Sequence, residues 1–213
     1  MAKLRITYNA PVVLTFTLLA VLVFLFPEST RVHYFAAHPK IIDASSYLGL
    51  VTHILGHASW EHLLGNFMLI LLLGPILEER HGSLSLLIMI LITALVTGLI
   101  NLAFSSNILL GASGVVFMMI LLASTANIKQ GEIPLTFIAI AVIYLGGEIY
   151  RAFASDDNVS RMAHLIGGLT GAVFGFISAR GKSAGGPKVK DLGLPAAKAI
   201  PPPAAAAKPK PKA

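Results

Sequence analysis

The chain has 213 residues, of which 55% are hydrophobic and only 12% charged, with a mean hydropathy of +0.78; this excludes an ordinary soluble domain and reads as a polytopic membrane protein. It contains no cysteine, which excludes disulfides, thiol nucleophiles and thiolate metal sites. The formal net charge of +6 is not a nucleic-acid footprint, because eight of the 16 Lys and Arg lie from Arg180 onward, outside the apolar body, where they suit an anionic membrane surface.

Ile6 to Pro27, bounded by Arg5 and Glu28, is uncharged and long enough to cross a hydrocarbon core of roughly 30 Å, so it is a predicted first span. The basic start at Lys3 and Arg5 resembles a signal peptide, but the run ends in Phe26-Pro27-Glu28 without a small-residue cleavage site and is expected to be a retained anchor. Residues 28–57 mix Arg31, Lys40 and Asp43 with Tyr34, Phe35 and Tyr47, the pattern of a partly helical loop lying in the membrane interface. A second span runs from His57 to Leu77, with Trp60 as interfacial anchor and Gly82 as the helix stop. The uncharged stretch from His81 to Ile128 is too long for one span and breaks near Asn101, Ser105, Ser106, Asn107 and Gly111, giving a third span over Ser83 to Phe104 and a fourth that begins at Ser113. Lys129 to Glu132 makes the next turn, Pro134 opens a fifth span ending near Tyr150, and Arg151 to Arg161 is a polar loop. Met162 to Ala179 is a sixth span. The fold class is therefore all-α, a six-helix membrane bundle over residues 1–180, followed by an Ala/Pro/Lys-rich tail over 181–213 that cannot bury a core.

Six spans put both termini on one side. The loops divide Lys and Arg evenly, so the tail's basic residues decide that this side is cytoplasmic. In this topology the second, fourth and sixth spans all run inward, and each carries polar residues near its outer start: His62 with Asn66, Ser113, and His164. His62 and Asn66 are one helical turn apart on one face. His164, Gly167, Gly171 and Gly175 form a stripe of the kind that lets helix backbones approach closely. A serine hydroxyl becomes a competent nucleophile when an imidazole takes its proton, which casts Ser113 as nucleophile and His164 as base. The oxyanion formed on attack would be met by backbone N–H groups at the helix start, including that of Ser113, and by donors from His62 and Asn66. No acid is obviously placed to orient His164, so the arrangement reads as a dyad.

These residues resemble the rhomboid intramembrane serine proteases over about Thr52 to Phe176. Gly111-Ala112-Ser113-Gly114 is similar to the family's GxSG, Ala163-His164 with Gly167 and Gly171 to its AHxxGxxxG, and His62 with Asn66 to its HxxxN. His53 and His57 resemble upstream family positions, and Glu78 with Gly82 resembles its ExxxG turn. The resemblance implies a bacterial-type six-helix bundle in the inner membrane, with a water-filled cavity open to the outer face. It implies a serine endopeptidase that cleaves transmembrane protein substrates within the lipid bilayer without metal or cofactor, the fifth span and the loop before His164 acting as gate and cap. Two positions depart from the family pattern: Phe117 stands where many members have a tyrosine packed on the histidine, and Leu48-Gly49 stands where many have Trp-Arg. Gly111, Gly114, Gly167 and Gly171 are read as packing residues.

Plainer readings compete at each position. A serine between glycines alone is usually a helix cap. His53 and His57 have the spacing of metal ligands on one helical face, but a third ligand is missing, so solvated or structural histidines are expected. Glu148 has no assigned role. The rival functions are a catalytically silent rhomboid-like protein that binds membrane clients, disfavoured because Ser113 and His164 are both present, and a small transporter, disfavoured because no internal repeat is visible.

Overall fold

The computed structural model describes residues 7–125, 133, 135–140, 142–143 and 158–181. The helices are α1 (Pro11–Phe24), α2 (Glu28–Tyr34), α3 (Ala44–Thr52), α4 (Trp60–His81), α5 (Ser83–Phe104), α6 (Ser113–Ser124) and α7 (Asn158–Gly181), and residues 135–140 are also helical. No strand occurs among the described residues, where one isolated antiparallel bridge joins Ala37 to Leu109. The expected turn at Lys129–Glu132, most of the fifth span including Glu148, the loop over 151–157 and the tail from Lys182 lie outside the described residues.

Helix boundaries follow local chemistry. Pro11 at the first helical position starts α1 later than the apolar run begins, so the first helix has 14 residues and is shorter than the expected span. The segment 28–57, expected to lie in the membrane interface, contains helix, as α2 and α3. Asp43 opens α3 through a reciprocal capping box with Ser46. Ser59 caps α4, which therefore begins at Trp60 rather than His57 and continues through Glu78 to His81 before Gly82 ends it. The third span has the expected ends. At 22 residues each, α4 and α5 are long and apolar enough to cross a membrane; α1, α6 and residues 163–177 of α7 are shorter apolar helices. Both long helices leave large apolar side chains exposed, among them Leu64, Met68, Leu72 and Ile76 on α4 and Leu84, Ile88 and Leu95 on α5. That surface suits lipid, not water.

The element at the centre is α6. Every residue from Gly114 to Leu122 is buried, as expected for a helix that is apolar all round. Around it, α1 and α4 run antiparallel. Near the end of α4, the buried Glu78 accepts the N–H groups of Val12 and Val13 at 3.0 Å each and the Ser83 hydroxyl at 2.7 Å, so its carboxylate satisfies the start of α1. At the opposite end of the same pair, Phe24 packs on Trp60 with ring centroids 4.4 Å apart. By contrast α6 and α7 run parallel in very close contact. A Cβ on Gly167 would strike the Gly114 carbonyl, and one on Gly171 the Met118 carbonyl, so this approach requires glycine.

Candidate functional site

The N-terminal ends of α4, α6 and α7 meet at one level. The Ser59 hydroxyl accepts the His62 N–H at 3.3 Å, placing His62 in the first turn of α4 and Asn66 one turn further along. Gly111 has φ 121° and rides directly on the His62 ring: a Cβ there would lie 2.6 Å from His62 Cε1, 2.7 Å from Nε2 and 3.6 Å from Asn66 Nδ2. Only glycine meets both the backbone and the space requirement. The turn is held from behind, because the Gly111 N–H donates to the His53 carbonyl at 3.0 Å.

The N-cap of α6 is Ala112, which provides no side-chain cap, and Ser113 is the first helical residue. The serine is thus not the cap that a lone Ser between glycines suggests. The first-turn N–H groups of Ser113, Gly114 and Val115 have no acceptor within their own helix, which leaves a cluster of donors beside His62 and Asn66. One turn beyond Ser113 on the same face, Phe117 lies flat on His164, with ring centroids 4.4 Å apart and planes 5° from parallel. His164 is therefore held against the Ser113 side of α6, and it is near enough to His62 for their charges to interact. The stripe of Gly167 and Gly171 below it makes that approach possible. Ser113, His62 and His164 are partly exposed, whereas Asn66 and Phe117 are buried.

A second layer supports the first, and sequence spacing did not reveal it. His57 is fully buried, sits edge-on to His62 at 5.1 Å and places Nε2 3.1 Å from Asn66 Nδ2. Arg31 donates to the His57 carbonyl, and its guanidinium lies 4.5 Å over the Phe24 ring. His53 engages the Gly49 carbonyl through Nδ1 at 3.2 Å and Thr97 through Nε2 at 3.3 Å. Residues 53–57 are not helical, so His53 and His57 share no helical face, and both nitrogens of each ring contact protein groups. The metal-ligand spacing is thereby accounted for by structural roles. Among the described residues no group of three or more His, Asp or Glu is placed to hold a metal.

Residues 44–181 match the Rhomboid domain family, well over half of the chain. The chain belongs to the rhomboid family. It is 35% identical over 132 residues to Rhomboid-related protein 1 of Caenorhabditis elegans, covering 57% of this chain and 37% of that protein. It is 24% identical over 177 residues to Rhomboid protease GlpG of Haemophilus influenzae, covering 79% of this chain and 91% of that protein. Membership in the rhomboid family together with the apolar helices makes this an integral membrane protein. The matched segment contains α3 to α7 and hence His53, His57, His62, Asn66, Ser113, Phe117 and His164, whereas Arg31 and Phe24 precede it.

Proposed function

We propose that this rhomboid is a serine intramembrane endopeptidase that cleaves transmembrane protein substrates. Ser113 Oγ attacks the scissile carbonyl while its proton passes to His164; the resulting oxyanion is met by first-turn N–H groups of α6 and by His62 and Asn66; His164 then protonates the leaving amine. Water hydrolyses the acyl-enzyme by the reverse use of the same groups. The observation that carries the reading is the placement of Ser113 at the uncapped start of α6, with His62 under its turn and His164 stacked one turn away. The reading also includes six spans in one domain up to residue 180, a solvated basic tail, both termini in the cytoplasm, and a bacterial inner-membrane location. The antiparallel α1–α4 and parallel α6–α7 arrangements support spans that alternate in direction.

Ser113→Ala is expected to abolish cleavage of a transmembrane substrate in liposomes, and retained activity would refute the assignment. A fluorophosphonate should label Ser113 in the wild type but not in His164→Ala; equal labelling of the two would remove His164 as the base. An unlabelled, inactive wild type that still binds membrane proteins would favour the client-binding alternative.

A further inference from the structure

We infer that His57 is a positioning residue for this site: as the neutral ring protonated at Nδ1, it fixes the Asn66 amide with its NH2 group toward the Gly111 turn. The inference rests on the proposed hydrolytic function, in which Asn66 donates to the oxyanion. The chain of hydrogen bonds runs in one direction only. His57 Nδ1 lies 3.2 Å from the Leu55 carbonyl, which can only accept, so Nδ1 carries the proton. In the neutral ring Nε2 then presents a lone pair, and its partner at 3.1 Å must be the Asn66 NH2 rather than the amide oxygen.

That orientation has a chemical consequence at the reaction centre. Asn66 Nδ2 lies 3.6 Å from where a Cβ on Gly111 would stand, so the NH2 group faces this turn. One of its hydrogens goes to His57 and leaves the other for the turn. With the amide rotated by half a turn, a carbonyl oxygen would occupy this place and repel the oxyanion instead of stabilising it. The His57 ring cannot swing away to permit this. It is fully buried between His62 at 5.1 Å and Phe67 at 5.7 Å, and Arg31 anchors its backbone carbonyl. The charged or titratable groups that face it are His62 of α4 and Arg31 of α2. Burial first, with smaller effects of the His62 ring and the Arg31 guanidinium, lowers its pKa from 6.5 to about 4, which keeps the accepting lone pair available near neutral pH.

A double-mutant cycle in the full-length protein in liposomes tests this. His57→Ala is expected to lower kcat about tenfold with KM unchanged, and His57→Gln, whose amide oxygen can accept from Asn66, to recover part of that loss. In an Asn66→Ala background the further loss from either His57 substitution should be less than about twofold, since the group it positions is gone. Additive losses would overturn the inference, as would an Asn66→Ala protein with unaltered kcat. Retained activity in Ser113→Ala would instead overturn the hydrolytic reading beneath it, so the two failures are distinguishable. Should the alanine variant fail to fold, the cycle runs with His57→Gln. The tautomer is read independently in the wild type by 15N chemical shifts of the His57 ring, assigned through backbone connectivity to Gly56 and Ala58. A protonated Nδ1 with an unprotonated Nε2 near neutral pH supports the inference, and the opposite tautomer overturns it.

Discussion

Gly167→Ala measures how much of the site depends on the contact between α6 and α7. Alanine should gain about 1 kcal/mol of helix propensity over glycine. Against this, the new methyl would stand 2.7 Å from the Gly114 carbonyl carbon and 2.8 Å from its Cα, besides striking the carbonyl oxygen. Carbon atoms pack at about 3.5–4.0 Å, so the helices must separate by roughly 1 Å. The obstacle is backbone and cannot rotate aside, and overpacking of this kind typically costs 1–3 kcal/mol, about 1 kcal/mol net once propensity is subtracted. The thermal midpoint in detergent should fall by about 2–4 °C. The catalytic effect should be larger, because His164 sits one turn before Gly167 and a displacement of about 1 Å can cost on the order of a hundredfold in rate.

Two companions sharpen the measurement. Gly171→Ala meets the Met118 backbone, with Cα at 2.8 Å, and should lose similar stability but less activity, being two turns from His164. Gly65→Ala meets nothing within 4 Å on the exposed face of α4 and should gain up to about 1 kcal/mol with unchanged kcat. The readouts are thermal unfolding and the rate of fluorophosphonate labelling at Ser113. A Gly167→Ala protein with wild-type midpoint and labelling rate would refute the idea that this contact positions His164.

Three further outcomes are expected. Phe117→Leu, which removes the 4.4 Å ring stack on His164, should lower kcat about tenfold while Phe117→Tyr retains activity, as measured by substrate cleavage in liposomes. Glu78→Gln replaces one of two accepting oxygens with a donor beside the Val12 and Val13 N–H groups; it should cost about 1–3 kcal/mol in unfolding experiments, with kcat per folded molecule unchanged. His53 and His57, in the connection before α4, are each lowered from 6.5 to about 4, chiefly by burial, so the unfolded chain binds more protons than the folded one between those values. Their contribution to stability is therefore full above pH 6.5 and is lost as pH falls through about 4; a thermal midpoint that rises on acidification from pH 6.5 to 4.5 would contradict this sign.

How much of this was legible in the sequence depended on whether a residue sat in regular structure. The third span came out with its exact ends because Gly82 and the Ser105–Asn107 break are strong local punctuation. The approach of His62 and Asn66 to the Gly111 turn, and of His164 to α6 through the glycine stripe, was legible because helical periodicity sets which residues share a face. The start of α4 shifted because hydropathy does not register a cap, although Ser59 was there to be read as one. The start of α1 moved inward for the related reason that Pro11 outweighs the apolar run before it. The contacts of His53 and His57 had no such handle. They lie in five residues of irregular backbone, where spacing carries no information about direction; that they are structural histidines was expected, but their partners, Gly49, Leu55, Asn66 and Thr97, could not be read from spacing.

The departure at Leu48-Gly49 shows how local chemistry and wider packing are coupled. A Cβ on Gly49 would strike the Ala36 carbonyl oxygen and lie 3.1 Å from its carbon, so α3 settles directly on the segment that follows α2. That approach excludes a long side chain at position 49. It is reinforced by Thr52, whose hydroxyl donates to the Tyr34 carbonyl at 2.8 Å, and it fixes α2 relative to the connection before α4. With α2 so placed, Arg31 reaches the His57 carbonyl while its guanidinium stacks on Phe24, which in turn packs on Trp60 at the start of α4. Arg31 thus ties α2 to the connection before α4, and the close seat of α3 that holds α2 in place depends on position 49 carrying no side chain. Gly49 is thereby a condition for the contact that supports His57, and through it Asn66.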